Sequence, residues 1–205
     1  DWPMPTLMRY HLFLQQEEIL KEYDEIFYMD VDMDVVNVIG DEILGTGLTA
    51  APHPGYYLSK NHYPPYEPNE FSQAYIPRPG RVVSDPDSLS ASKTRFRPEY
   101  YAGGFQGGKS ALFISAMKEM KAMIDKDLAM KYIPIWNDES IWNAYLFKNP
   151  PSVFLTPSYI YPDSLIKEYY EPLWGKSFQP KLVTITKWFS ISKEGGKAIH
   201  KMLNK

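Results

Sequence analysis

Apolar positions in residues 5–24 recur at near-helical spacing, with Leu7, Met8, Leu12, Phe13, Ile19 and Leu20 on one face and Pro5-Thr6 opening the segment. This pattern predicts an amphipathic helix. Residues 25–31 (EIFYMDV) stay apolar from Ile26 through Met29 without alternation, which predicts a buried strand. Helix followed by strand favours an α/β fold. A loop-and-strand region continues to Tyr57. The Pro/Tyr-rich stretch from His62 to Pro79 cannot be regular helix, because proline lacks the backbone donor and clashes with the preceding turn. Residues 80–98 are polar and Ser-rich and read as an inserted surface loop. Glu99-Tyr100-Tyr101-Ala102 predicts a short strand running into Gly103-Gly104-Phe105-Gln106-Gly107-Gly108. From Lys109 to Tyr132, Leu112, Ile114, Met117, Met120 and Ile124 mark the inner side of a helix, and a second helix spans Asp138 to Phe147. Residues 153–155 and 181–186 predict further strands. No internal repeat is visible.

Composition narrows the class. A chain of 205 residues suffices for one domain with a sizeable core, so residues 1–205 read as a single domain. A net charge of −3 advertises neither nucleic acid nor an anionic membrane as partner. Cysteine is absent, which excludes disulfides and thiolate zinc sites and favours a reducing compartment. No stretch reaches the roughly eighteen apolar residues of a membrane span, and no signal peptide is visible. The chain begins Asp1-Trp2-Pro3, and a fragment is the natural reading. The 16 Tyr and 5 Trp combine flat apolar faces with polar edges, which suits carbohydrate as well as it suits a core.

Two acidic motifs carry the candidate chemistry. Asp30-Val31-Asp32 closes the apolar run, and in a strand residues i and i+2 share a face, so both carboxylates can converge. Hard oxygen ligands suit Mn²⁺ or Mg²⁺ shared with a diphosphate, and the carboxyl end of a strand is where open α/β sheets bind ligands. A solvated acidic turn explains the bare tripeptide equally well. Trp136-Asn137-Asp138-Glu139-Ser140 suits a sugar pocket holding a catalytic carboxylate, and it also suits an ordinary helix start with acids in the first turn. Together the motifs predict an enzyme that moves a sugar from a nucleotide donor. Residues 103–110 match G-x-x-x-x-G-K-[ST], the phosphate-wrapping P-loop. The preceding Arg97–Ala102 lacks the buried β-branched strand that motif needs. His53, beside a Pro-Gly turn, and Lys187 are single residues with ordinary structural explanations.

The stretches FYMDVDM, GDEILG, HPGYY, SQAYIP, YYAGGFQGG, WNDES and TPSYIY, from residue 27 to 161, resemble glycosyltransferase family six. That family holds the blood-group A and B transferases, the α-1,3-galactosyltransferases and bacterial and phage relatives. The resemblance covers nearly the whole chain. It implies a GT-A fold, a Rossmann-like mixed sheet flanked by helices, here without the opening strand region. It further implies retaining transfer of GalNAc or Gal from a UDP-sugar to the 3-hydroxyl of a galactose-containing acceptor glycan. By resemblance Asp30 and Asp32 are metal- and diphosphate-binding acids, with Mn²⁺ or Mg²⁺ as cofactor. Glu139 matches the proposed nucleophile and Asp138 the acid that orients the donor sugar. Arg9, Val31, Ala102, Gly103, Gly104 and Lys187 match the nucleotide-sugar site, and His53, Trp136 and Asn137 the acceptor site.

Departures from the family pattern bear on substrate. Asn137 replaces a usual His, while Pro65 and Pro162 stand where acceptor-binding Thr and Asp occur, with Asp163 one residue away. A proline side chain offers no hydrogen bond, so the acceptor differs from blood-group H antigen. Small residues at Ala102 and Gly104 predict UDP-GalNAc over UDP-Gal. A bacterial or phage-type member implies the cytoplasm, a vertebrate-type member the Golgi lumen. Competing readings are a glycan- or nucleotide-sugar-binding remnant without turnover, and a P-loop NTPase using Gly103–Ser110.

Overall fold

The computed structural model describes residues 2–57, 64, 66–77, 100–163, 172, 174, 177–182 and 183–185. The expected loop 80–98, Pro65 and Lys187 lie outside these residues. The leading amphipathic segment is helical in pieces rather than one helix: α1 (Met4–Leu7), α2 (Arg9–Phe13), a 3₁₀ turn over Leu14–Gln16, and α3 (Glu17–Leu20). The first break falls at Met8, which leaves the α region with ψ near 7°. The inner face also differs from the apolar count. Leu7, Arg9 and Tyr10 are buried, whereas Leu12 and Ile19 are exposed.

Strand β1 (Glu25–Met29) pairs antiparallel with β4 (Tyr101–Lys109), which pairs antiparallel with β3 (Leu48–Pro52). β3 in turn runs parallel to β5 (Val153–Phe154), completing a mixed four-stranded sheet in the order β1-β4-β3-β5. A smaller sheet joins β2 (Met33–Val35), β7 (Leu182–Thr184) and β6 (Tyr161–Pro162), with β7 central. The glycine-rich segment is therefore strand, not P-loop. Its Lys109 pairs with Glu25 at 2.7 Å, and the Ser110 hydroxyl donates to the Leu20 carbonyl. A P-loop needs backbone N–H groups curled around phosphate, and an extended strand hydrogen-bonded on both edges cannot supply that cradle.

β4 is not regular. Gln106 opposes Ala50 on β3, but Tyr101 opposes Pro52, so β4 spends five residues where β3 spends two. This bulge buckles the strand between Ala102 and Phe105 and leaves backbone groups there without strand partners. Helices α4 (Ser110–Ala129) and α5 (Asn137–Lys148) cover one face of the sheet. Phe113, Met117, Met120 and Ile124 of α4 meet Trp142 and Tyr145 of α5, with Leu7, Tyr10 and Tyr101, in one core. Phe113 replaces Leu112 on the inner face, since Leu112 is exposed. Each such buried side chain contributes roughly 1.5–3 kcal/mol. A second core, with Ala51, Ala102, Phe105, Ile160 and Leu182, lies between the two sheets.

Candidate active site

The buried start of α5 comes first. Asn137 has φ +51°, a left-handed conformation that asparagine tolerates better than most residues. It is followed by Asp138 and Glu139 in the first turn, where the helix dipole favours negative charge. Glu139 N–H donates to the Trp136 carbonyl at 3.0 Å, and Trp136 N–H donates to Ser140 Oγ at 3.0 Å. One turn later Asn143 accepts from Tyr101 N–H at 2.7 Å and donates to the carbonyls of Tyr101 and Glu139, each at 2.8 Å. That clamp brings α5 against the β4 bulge. Glu139 Oε2 accepts from Gly103 N–H at 2.7 Å as a result.

Arg9 enters from α2 on the same side. Its Nη1 donates to the Gly103 carbonyl at 3.1 Å, and its Nη2 lies 3.5 Å from Asp30 Oδ1. Nε sits 3.1 Å from Asp138 Oδ2, yet its single N–H is directed to the Thr6 carbonyl. Asp138 Oδ2 is therefore ion-paired without a hydrogen bond. The guanidinium also lies 4.4 Å from the centre of the Tyr28 ring, a cation–π distance. Burial alone would lower the Arg9 pKa, but Asp138 first, then Tyr10, Tyr28 and Asp30, hold it above its ordinary value.

The two acids of α5 are pushed the other way. Burial raises Asp138 to about 7 despite Arg9, and the neighbouring Glu139 charge adds to the rise. Burial likewise raises Glu139 to about 7, against the pull of the Gly103 N–H and the nearby Tyr100 hydroxyl. That hydroxyl faces Glu139 without a well-aligned hydrogen bond. Two adjacent carboxyls poised near neutrality beside one cation are a common sign of a working site.

β1 stops at Met29, so Asp30 and Asp32 stand in the turn beyond it rather than on one strand face. They still converge. Both line a pocket of about 260 Å³ with Glu139, Gly104, Ala102 and His53, closed by Met33, Pro54, Ile160, Pro162 and Thr184. The Tyr28 hydroxyl donates to Asp30 Oδ1. Asp30 Oδ2 lies 3.1 Å from where a Cβ on Gly104 would stand, and Glu139 Cβ lies 3.2 Å from a Cβ on Gly103. The glycines thus admit the acids to the strand. No group of three or more His, Cys, Asp or Glu capable of holding a metal occurs among the described residues. Two carboxylates lining one pocket instead fit a divalent ion whose other positions go to phosphate and water.

His53 is fixed as a neutral donor. Its Nδ1 accepts from Gly55 N–H at 3.1 Å, which leaves the proton on Nε2, and burial lowers its pKa to about 4. Six sequence-derived candidates among the described residues do not line the pocket: Arg9, Val31, which is fully exposed, Gly103, Trp136, which is half-exposed, Asn137 and Asp138. Gly103 acts through its backbone. Sequence reading missed Tyr28, Tyr100, Gln106 and Asn143. Asn143 alone carried a local signal, one helical turn after Glu139. No helix among the described residues is long and apolar enough to cross a membrane.

A family model described as glycosyltransferase family 6 matches residues 4–171. Histo-blood group ABO system transferase 1 of Rattus norvegicus is 32% identical over 151 residues, 74% of this chain and 38% of that protein. Globoside alpha-1,3-N-acetylgalactosaminyltransferase 1 of Homo sapiens is 32% identical over 143 residues, covering 70% and 36%. The O-antigen biosynthesis glycosyltransferase WbnI of Escherichia coli is 26% identical over 163 residues, covering 79% and 62%. The chain spans between about a third and two thirds of the lengths of these relatives. With the matched region holding Arg9, the acids after β1, the β4 bulge and the start of α5, this chain belongs to glycosyltransferase family 6.

Proposed function

We propose that the protein transfers a hexose from a UDP-sugar to a galactoside acceptor with retention, with GalNAc as the preferred sugar and an α-1,3 linkage as the product, on a GT-A fold. The observation that carries this reading is one pocket lined by two acids after β1 and by a half-buried carboxylate tied to a strand amide. Asp30 and Asp32 would hold a divalent ion with the donor diphosphate, and such an ion, when bound, offsets charge on the departing UDP. Arg9 orients Asp30 and Asp138. Ionised Glu139 lines the same pocket, where it stabilises positive charge developing at the donor C1. The C1–O bond breaks with its electron pair leaving on UDP. The acceptor 3-hydroxyl oxygen bonds C1 on the same face, and its proton passes to the departing phosphate oxygen. His53 Nε2–H donates to an acceptor hydroxyl.

Relatives named for α-1,3-GalNAc transfer support the donor and linkage, and so do the small Ala102 and Gly104 at the pocket. Incubation with UDP-GalNAc, Mn²⁺ and a panel of galactosides tests the reading by UDP release and product linkage. UDP binding without release under any acceptor would make the protein a sugar-nucleotide-binding remnant instead.

A further inference from the structure

Gln106 is wholly buried in β4, and its side chain points into the helix-facing core beside Tyr10 and Ala50. A primary amide in such surroundings is costly unless both of its ends are bonded, and an apolar side chain of equal size would fill the space without that penalty. Both ends are bonded. Gln106 Nε2 donates to the Gly103 carbonyl at 3.0 Å, and Oε1 accepts from the Tyr10 hydroxyl at 2.9 Å. The direction is fixed chemically: a carbonyl can only accept, so the NH₂ must face Gly103 and Tyr10 must be the donor. Burial pushes the Tyr10 hydroxyl well above its ordinary range, which keeps it protonated.

The Gly103 peptide needs such support. The register jump between β3 and β4 leaves its carbonyl outside the strand ladder, and a buried carbonyl must find donors elsewhere. Arg9 Nη1 and Gln106 Nε2 are those donors. The N–H of the same residue is the group that holds Glu139. Arg9 is also committed to Asp30 and Asp138, so the donor at Gly103 that touches no other site residue is Gln106.

We infer that Gln106, oriented by Tyr10, is a positioning residue that sets the Gly103 peptide and thereby aims the Glu139 carboxylate into the pocket. This rests on the transferase reading only for its effect on turnover. The peptide geometry can be read without substrate.

Gln106→Met keeps the volume and removes both hydrogen bonds. Glycine-selective ¹⁵N labelling follows the Gly103 amide, identified by its loss in Gly103→Ala. In folded Gln106→Met the amide proton should move upfield and exchange faster with solvent, and kcat should fall roughly ten- to a hundred-fold. Donor KM should stay within about two-fold, because the groups after β1 are untouched. Tyr10→Phe should shift the same amide less, and adding it to Gln106→Met should cause no further loss of kcat. An unchanged Gly103 amide in either folded variant overturns the inference, as does a fall in kcat matched by an equal rise in donor KM. If the unmodified protein releases no UDP, the transferase reading fails and the amide measurement still decides the positioning role. If Gln106→Met does not fold, Tyr10→Phe decides it.

Discussion

At the scale of single residues, Glu139 shows a trade between stability and chemistry. Its buried carboxyl has a pKa raised to about 7, so the native state keeps a proton that the unfolded chain loses near the ordinary carboxylate value of about 4.3. Between those values the native state binds more protons, and stability therefore falls as pH rises. Glu139→Gln removes that titration. We expect its Tm to exceed the parent's above pH 7 and the difference to vanish below pH 4, measured by scanning calorimetry across pH. The same variant should bind UDP normally and lose transfer by roughly two to four orders of magnitude. For the parent enzyme kcat should rise with pH through about 7, as Glu139 and Asp138 ionise; a flat profile from pH 5.5 to 8.5 would count against ionised Glu139. Asp30→Asn and Asp32→Asn should each remove most activity and weaken UDP binding in titration calorimetry, because hard carboxylate ligands are lost. Full activity in excess chelator would refute a metal role.

At the scale of elements, the β4 bulge decides what glycine does here. An added methyl at Gly103 would sit 3.2 Å from Glu139 Cβ, an atom close to the backbone with little room to give. Gly103→Ala should therefore displace α5 and lower kcat for every donor alike. At Gly104 the methyl would meet Asp30 Oδ2 at 3.1 Å and Ile160 Cδ1 at 3.5 Å, and Gly104 lines the pocket. Gly104→Ala should shift preference from UDP-GalNAc toward UDP-Gal, at some loss of overall rate through Asp30. The ratio of kcat/KM for the two donors reads this. Discrimination by filling a pocket amounts to about 1–3 kcal/mol, so the ratio should change by roughly ten- to two-hundred-fold. The bulge was not legible in the sequence, where Gly103–Gly108 reads only as the glycine-rich segment that a short strand runs into. Its cause is a register jump against β3, some fifty residues away, which no local pattern records. Long α4 was legible because periodicity survives over many residues, and α5 because Asp138 and Glu139 mark a helix start. The inner face of α2 was not, because it is set by Arg9 and Tyr10 reaching polar partners on β4.

At the scale of the whole molecule, the acids and the cation come from three places in the chain, α2, the turn after β1 and the start of α5, and they meet at the β4 bulge. None of these groups forms a site alone. Arg9 reaches Asp30, Asp138 and Gly103 at once, so a charge at the centre ties the helix layer to the sheet. The motifs after β1 and at α5 were visible as letters, yet their convergence depended on contacts about a hundred residues apart, such as Gly103 with Arg9. Ligand linkage follows from this arrangement. On the proposed function, UDP with Mn²⁺ would bridge elements that unfolding separates, so it should stabilise the native state by about 2.7 kcal/mol at a hundred times Kd. For a chain of this size that is a rise of roughly 5–10 °C in Tm. UDP alone or Mn²⁺ alone should raise Tm much less, because each leaves the other's charge uncompensated in the pocket. In Asp30→Asn the combined shift should shrink to that of UDP alone, and Arg9→Met should lower the basal Tm as well, since it strands buried Asp138 without its cation. Differential scanning fluorimetry with the four ligand conditions measures all of this. Equal shifts for UDP with and without Mn²⁺ would place the diphosphate away from Asp30 and Asp32.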